Sequence, residues 1–123
     1  MRTTARMVAI VEDDPAMRKS LERLLRANGY TTTTLSSAED FLQGGVGDHA
    51  VALILDIHLG GMSGIELRRR LLSAGSQLPV IFITAYEDQA IHAEAHATGC
   101  VDFLTKPFEP SRLMDALEQC MNP

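Results

Sequence analysis

Short, unbroken apolar runs punctuate the chain at residues 7–11, 51–55 and 79–83, and a weaker one follows at 101–105. Runs this short, bounded by turn residues, predict strands buried on both faces. Residues 30–35 carry four threonines in a row; their branching favours a strand and their polarity an edge position. Between the runs, apolar residues recur at helical spacing: Met17, Leu21, Leu24 and Leu25, then Ile65, Leu67, Leu71 and Leu72, then Leu113, Met114, Leu117, Cys120 and Met121. Asp14 before Pro15 reads as an N-cap followed by proline at the first helical position. Ser36 with Glu39 fits a capping box ahead of Phe41 and Leu42. Residues 88–98 form an alanine-rich helix with a thin apolar face, expected to dock weakly. Gly29 and Gly75 close helices, and Gly44, Gly45 and Gly47 end the short second one. Strand and helix thus alternate five times, which predicts an α/β fold: a doubly wound parallel (βα)5 sheet with helices on both faces. The flavodoxin-like order 2-1-3-4-5 fits, because it puts the threonine strand at an edge and residues 51–56 at the centre.

The 123 residues make one domain, 1–123, with 46% hydrophobic and 22% charged residues. A net charge of −5 argues against direct nucleic-acid binding. The N-terminal stretch up to the first strand is too short for a signal peptide or a membrane span. The cytoplasm is the expected location, with Cys100 and Cys120 as reduced packing thiols. Arg68-Arg69-Arg70 reads as the solvated side of its helix. His92 and His96, one turn apart, lack a third ligand and read as two exposed histidines rather than a metal site. The glycines at 44–47 lack the lysine and hydroxyl residue of a phosphate-binding loop.

The chemistry gathers where strands end. Glu12 and Asp13 follow the first strand, Asp56 closes the third, Thr84 the fourth, and Lys106 follows the fifth. In the 2-1-3-4-5 order the first and third strands are neighbours, so three carboxylates crowd together and call for a cation. An oxygen-only site suits Mg²⁺, which often shares phosphate oxygens. A carboxylate can attack phosphorus to give an aspartyl-phosphate, with Lys106 and the Thr84 hydroxyl neutralising or bonding the phosphoryl oxygens.

On these residues the whole chain resembles the receiver domain of a two-component response regulator. The resemblance implies that Asp56 is the phosphoacceptor and that Mg²⁺ is held by Glu12, Asp13, Asp56 and the His58 backbone carbonyl. It makes Thr84 and Lys106 the remaining catalytic positions, Thr84 and Phe103 the switch pair, and His58, Ala85 and Tyr86 the modulating positions beside the acceptor. Lys106-Pro107 matches a Lys-Pro whose peptide bond is usually cis in the family. Ser37-Ala-Glu-Asp-Phe-Leu42 is similar to receivers that precede LuxR-type helix-turn-helix domains. Glu12 stands for the commoner aspartate, and Gly60 stands where the family often has proline, which should loosen the loop after Asp56. The implied partners are a histidine kinase or histidine phosphotransfer protein, and an output domain or second copy at the face of the fourth helix, fifth strand and fifth helix. The implied activity is self-catalysed phosphorylation and dephosphorylation of Asp56, not a conventional enzyme's. Because the sequence stops just after the last helix, a stand-alone or an excised receiver is expected.

Three rivals are weaker. A phosphatase of the haloacid-dehalogenase kind needs a second aspartate two residues after the first, where this chain has His58. A flavin module of the same topology would meet repelling acids after its first strand. A degenerate receiver, serving as a phosphorylation-independent interaction module, would not need the intact set of polar strand ends.

Overall fold

The computed structural model describes residues 6–121; the N-terminal stretch read above and the last two residues, Asn122 and Pro123, lie outside them. Five strands and five helices alternate: β1 (Met7–Val11), α1 (Pro15–Ala27), β2 (Thr31–Leu35), α2 (Ala38–Gly44), β3 (Ala52–Asp56), α3 (Gly64–Ser73), β4 (Val80–Thr84), α4 (Gln89–Ala97), β5 (Asp102–Thr105) and α5 (Pro110–Met121), with one 3-10 turn at Val46–Asp48. All strand pairs are parallel, in the order β2-β1-β3-β4-β5. This is the flavodoxin-like doubly wound sheet.

Strand side chains alternate between two cores. Ala9, Val11, Leu53, Leu55, Val80 and Phe82 meet Phe41, Leu67 and Ala95 from α2, α3 and α4. Val8, Ile10, Ile54, Ile81 and Ile83 meet Leu21, Leu25, Leu113 and Leu117 from α1 and α5. β3 and β4 are buried along their whole length, whereas the threonines of β2 at the edge are only partly covered. Asp14 caps α1 by accepting from the Ala16 amide, with Pro15 in the first turn.

Three local readings need correction. The cap of α2 is Ser37, whose hydroxyl accepts from the Asp40 amide at 3.0 Å, so Ser36 and Glu39 make no capping box. Arg68 does not face water with Arg69 and Arg70: it is 7% exposed, and it donates to the carbonyls of Leu78 (3.0 Å) and Gly99 (3.4 Å). It lies three residues after Ile65 and so shares that residue's inward face, while Leu72, read as apolar and inward, is exposed. The thin face of α4 is as expected: Ala95 is its one buried residue. Both cysteines are free thiols and half-buried.

Candidate functional site

Parallel pairing sets the carboxyl ends of the central strands level with one another. Val11 pairs with Leu55, Asp56 with Ile83, and Thr84 with Thr105. The residues that follow β1 and β5 therefore project beside Asp56 at the rim where doubly wound sheets bind ligands. Glu12, Asp13 and Asp56 each offer a carboxylate oxygen within 4.8 Å of the others. Among the described residues no other group of three or more His, Cys, Asp or Glu side chains gathers in this way. Glu12 and Asp56 are buried and Asp13 is exposed, so the cluster opens to solvent on the Asp13 side.

Lys106 closes the cluster from β5. Its Nζ lies 2.6 Å from Glu12 Oε1 and 3.4 Å from Asp56 Oδ2. It reaches them from a cis Lys106-Pro107 peptide. Glu12 also accepts from the Asp14 amide at 3.2 Å, and its own carbonyl accepts from the Arg18 guanidinium at 2.8 Å. Burial, and then the neighbouring Asp56 carboxylate, hold the Glu12 carboxyl above the usual carboxylate range, and Lys106 offsets this only in part. For Lys106, burial alone would lower the pKa, but Glu12 and Asp56 outweigh it, so the ammonium is held charged more firmly than a free lysine. One ammonium among three carboxylates leaves an excess of negative charge, and a divalent cation with oxygen preference relieves it.

The Asp56 side chain is held from the loop as well. Asp56 Oδ1 accepts from the His58 amide at 3.1 Å. The start of α3 packs directly on the carboxyl end of β3: the Gly64 amide donates to the Ile57 carbonyl at 3.0 Å. A β-carbon at Gly64 would collide with the Asp56 carbonyl oxygen and stand 3.0 Å from both the Asp56 carbonyl carbon and the Ile57 Cα. Glycine is what lets the helix start this close.

Thr84 is fully buried, and its Oγ1 accepts from the Tyr86 amide at 3.2 Å, which leaves the hydroxyl proton free to be donated. Ala85 is exposed. The His58 and Tyr86 rings, two residues beyond Asp56 and Thr84, meet edge to face at 4.5 Å and 72°. Tyr86 remains 60% exposed. Phe103 is not part of the acid cluster. It sits in β5, two strands from Asp56, paired with Phe82 and 9% exposed, with the His92 ring stacked on it at 4.2 Å. The two α4 histidines are exposed, as read from the sequence, but their Nε2 atoms approach to 2.8 Å and both rings lie against Phe103.

Sequence reasoning missed Glu39. Its Oε2 accepts from the Met62 amide at 2.9 Å, which ties α2 to the loop after Asp56. The signal available was the run of Ser37 through Leu42, with the serine-glutamate spacing assigned to the wrong serine.

Among the described residues no helix is long and apolar enough to cross a membrane. The family profile described as the response regulator receiver domain matches residues 8–118. The chain is 38% identical over 94% of its length to Nodulation protein W of Bradyrhizobium diazoefficiens, covering 51% of that protein. It is 35% identical over 97% of its length to the transcriptional regulatory protein FixJ of the same organism, covering 58%. It therefore spans about half the length of the curated relatives it matches. Among solved structures, the crystal structure of FixJ-N superposes with a TM-score of 0.86 at 36% identity, over 96% of this chain and 94% of that one. The response regulator StyR gives 0.86 at 38% identity, over 94% of this chain and 59% of that one. A match across nearly the whole chain, on a sheet whose polar strand ends converge as described, makes this chain a member of the response regulator receiver family, a module of phosphorelay signalling.

Proposed function

We propose that Asp56 accepts a phosphoryl group from the phosphohistidine of a histidine kinase or histidine phosphotransfer protein, in a Mg²⁺-dependent transfer catalysed by the domain itself. The observation that carries this reading is the convergence of Glu12, Asp13, Asp56 and Lys106 at one sheet rim, three acids against one ammonium. The donor set fits the metal: oxygen ligands only, few of them, and open to solvent through Asp13. Glu12, Asp13, Asp56 and the His58 carbonyl are the residues assigned to hold it. Mg²⁺ held there would supply positive charge to the phosphoryl oxygens.

The chain's own groups do the rest. An Asp56 carboxylate oxygen bonds to phosphorus as the P–N bond to the donor imidazole breaks, and the imidazole leaves with the electron pair and takes up a proton. Lys106 stands at the acceptor with its ammonium held charged, and serves the incoming oxygens as a donor. Thr84 offers its hydroxyl proton to the same group. Turning that hydroxyl toward Asp56 vacates space for Phe103, and the change reaches α4 and α5 through β5. That face is where an output domain or a second copy would respond. An apolar groove of about 430 Å³, lined by Met17, Leu24, Pro107 and Phe108 among others, flanks Lys106 and gives a protein donor footing beside the acids. We read residues 1–123 as one receiver domain acting in the cytoplasm. It supplies the phosphorylation input of a longer regulator, in keeping with the half-length match to relatives such as the transcriptional regulatory protein FixJ.

Incubation with acetyl phosphate and Mg²⁺, read by intact mass, should add one phosphoryl group to the wild type and none to Asp56→Asn. Asp13→Asn should bind Mg²⁺ more weakly by calorimetry. Undiminished phosphorylation of Asp56→Asn moves the acceptor elsewhere. A wild type that takes no phosphoryl group favours the phosphorylation-independent interaction module.

A further inference from the structure

We propose that Glu39 is a positioning residue for the acceptor site: from the first turn of α2 its carboxylate holds the glycine loop between β3 and α3 in the conformation that metal binding and phosphoryl transfer require. The inference rests on the roles of Asp56 and His58 proposed above and adds a residue outside that set.

The loop is built to be loose. Gly60 and Gly61 stand together, and a β-carbon at Gly60 would meet nothing within 4 Å. Glycine pairs carry more backbone freedom than any other residues, and that freedom has to be removed for the loop to hold one shape. Its two ends are pinned locally, by the His58 amide on Asp56 Oδ1 and by the Gly64 amide on the Ile57 carbonyl. The middle is pinned from another element. Glu39 Oε2 accepts the Met62 amide at 2.9 Å across 23 residues of sequence. Gly61 lies flat against the same carboxylate, since a β-carbon there would stand 2.6 Å from Oε2 and 3.2 Å from Oε1.

Neither capping nor core packing accounts for the placement of Glu39. Ser37 performs the cap of α2, and Ala38 and Phe41 anchor that helix in the core. Glu39 itself is exposed and adds no core packing. The Met62 amide, followed by its own amide, holds the Glu39 carboxyl below the usual range, so the clamp is a charge-assisted hydrogen bond with the ionised acid. Where Gly60 withholds the stiffness a proline would lend, a carboxylate from α2 supplies it. The loop so held carries the His58 carbonyl, and thus controls how well the metal is gripped.

Three variants test this: Glu39→Ala, Glu39→Gln and Gly61→Ala. Gly61→Ala pushes on the free end of a flexible side chain, so the fold survives while the carboxylate is displaced from the Met62 amide. Mg²⁺ is titrated by NMR into unphosphorylated protein, Met62 amide exchange is followed without added metal, and urea unfolding reports the fold. Glu39→Ala and Gly61→Ala should each weaken Mg²⁺ binding about tenfold, the low end of what residues behind metal ligands contribute. Both should speed Met62 exchange by a similar factor and leave the urea midpoint near wild type. Glu39→Gln should fall between, because its side-chain oxygen still accepts but without charge. The double variant Glu39→Ala/Gly61→Ala should be no worse than either single, since both remove one contact. Wild-type Mg²⁺ affinity in Glu39→Ala, or fully additive effects in the double variant, overturns the proposal. A wild type that neither binds Mg²⁺ nor takes a phosphoryl group overturns the function proposed above instead, and the exchange of Met62 then still decides whether the clamp exists.

Discussion

Gly64→Ala is the sharpest single perturbation of the proposed acceptor Asp56, because it acts on backbone rather than on any reacting group. The new methyl would overlap the Asp56 carbonyl oxygen and press on the Asp56 carbonyl carbon and Ile57 Cα, both at 3.0 Å. All three are backbone atoms of the central strand or its first following residue, so no side chain can rotate away. Relief needs α3 to retreat from β3 by roughly 1 Å, and overpacking of this kind costs about 3 kcal/mol, near the top of its usual range. Replacing a helical glycine by alanine returns up to about 1 kcal/mol through propensity, which leaves a net loss of about 2 kcal/mol. For a domain of this size that lowers Tm by roughly 8 °C. The retreat also moves Asp56, and a misplacement of about 1 Å costs about a hundredfold in a positioned reaction. Urea unfolding gives the first quantity, and the initial rate of phosphorylation by acetyl phosphate, below the unfolding transition, gives the second. Gly60→Ala is the control in the same loop: its β-carbon meets open space, and no left-handed φ opposes it. It should be neutral or stabilise by about 0.5 kcal/mol. If Gly64→Ala unfolds within about 0.5 kcal/mol of the wild type, or phosphorylates at the wild-type rate, then the contact between α3 and β3 does not set the position of Asp56; unfolding on that scale lies within ordinary surface effects.

Arg68→Met strips the Leu78 carbonyl of its buried donor, and should lower stability by about 1–3 kcal/mol in urea titration; a change near zero would mean that water replaces the guanidinium. Tyr86→Ala removes the ring that meets His58 beside the proposed acceptor. The phosphorylated protein should then hydrolyse several-fold faster after donor removal, about 1 kcal/mol of barrier, and decay at the wild-type rate or slower would refute shielding of the water path by Tyr86. Burial pushes the Cys120 thiol from 9.0 up to about 11. The folded state therefore favours the protonated thiol: its contribution to stability is complete below pH 9.0 and is lost as pH rises through about 11. Iodoacetamide labelling at pH 8 should run about a hundredfold slower at Cys120 than at an exposed cysteine peptide, two pH units being a hundredfold in thiolate; equal rates would show that the thiol is not buried in solution.

Much of the architecture was legible because burial leaves a local imprint. The run ending at Asp56 is apolar at every position because β3 is covered on both faces, and the threonines of β2 are polar because that strand lies at the edge. Strand ends are equally local, so Glu12, Asp13, Asp56, Thr84 and Lys106 could be placed on one rim once the strand order was assumed. Contacts that cross the fold left no such imprint. Arg68 looked like part of a charged helix face because its acceptors, the carbonyls of Leu78 and Gly99, lie 10 and 31 residues further on. Glu39 fitted a capping box because the rule looks three residues back, while its true partner is 23 residues ahead. Lys106 is read from the sequence as a partner of the phosphoryl oxygens; its pairing with Glu12 spans 94 residues and exists only because β1, β3, β4 and β5 lie side by side. Periodicity reports which face of an element is hidden; which polar group waits on the other side is decided by chain folding, because a buried donor or acceptor takes whatever partner the tertiary packing brings within about 3 Å.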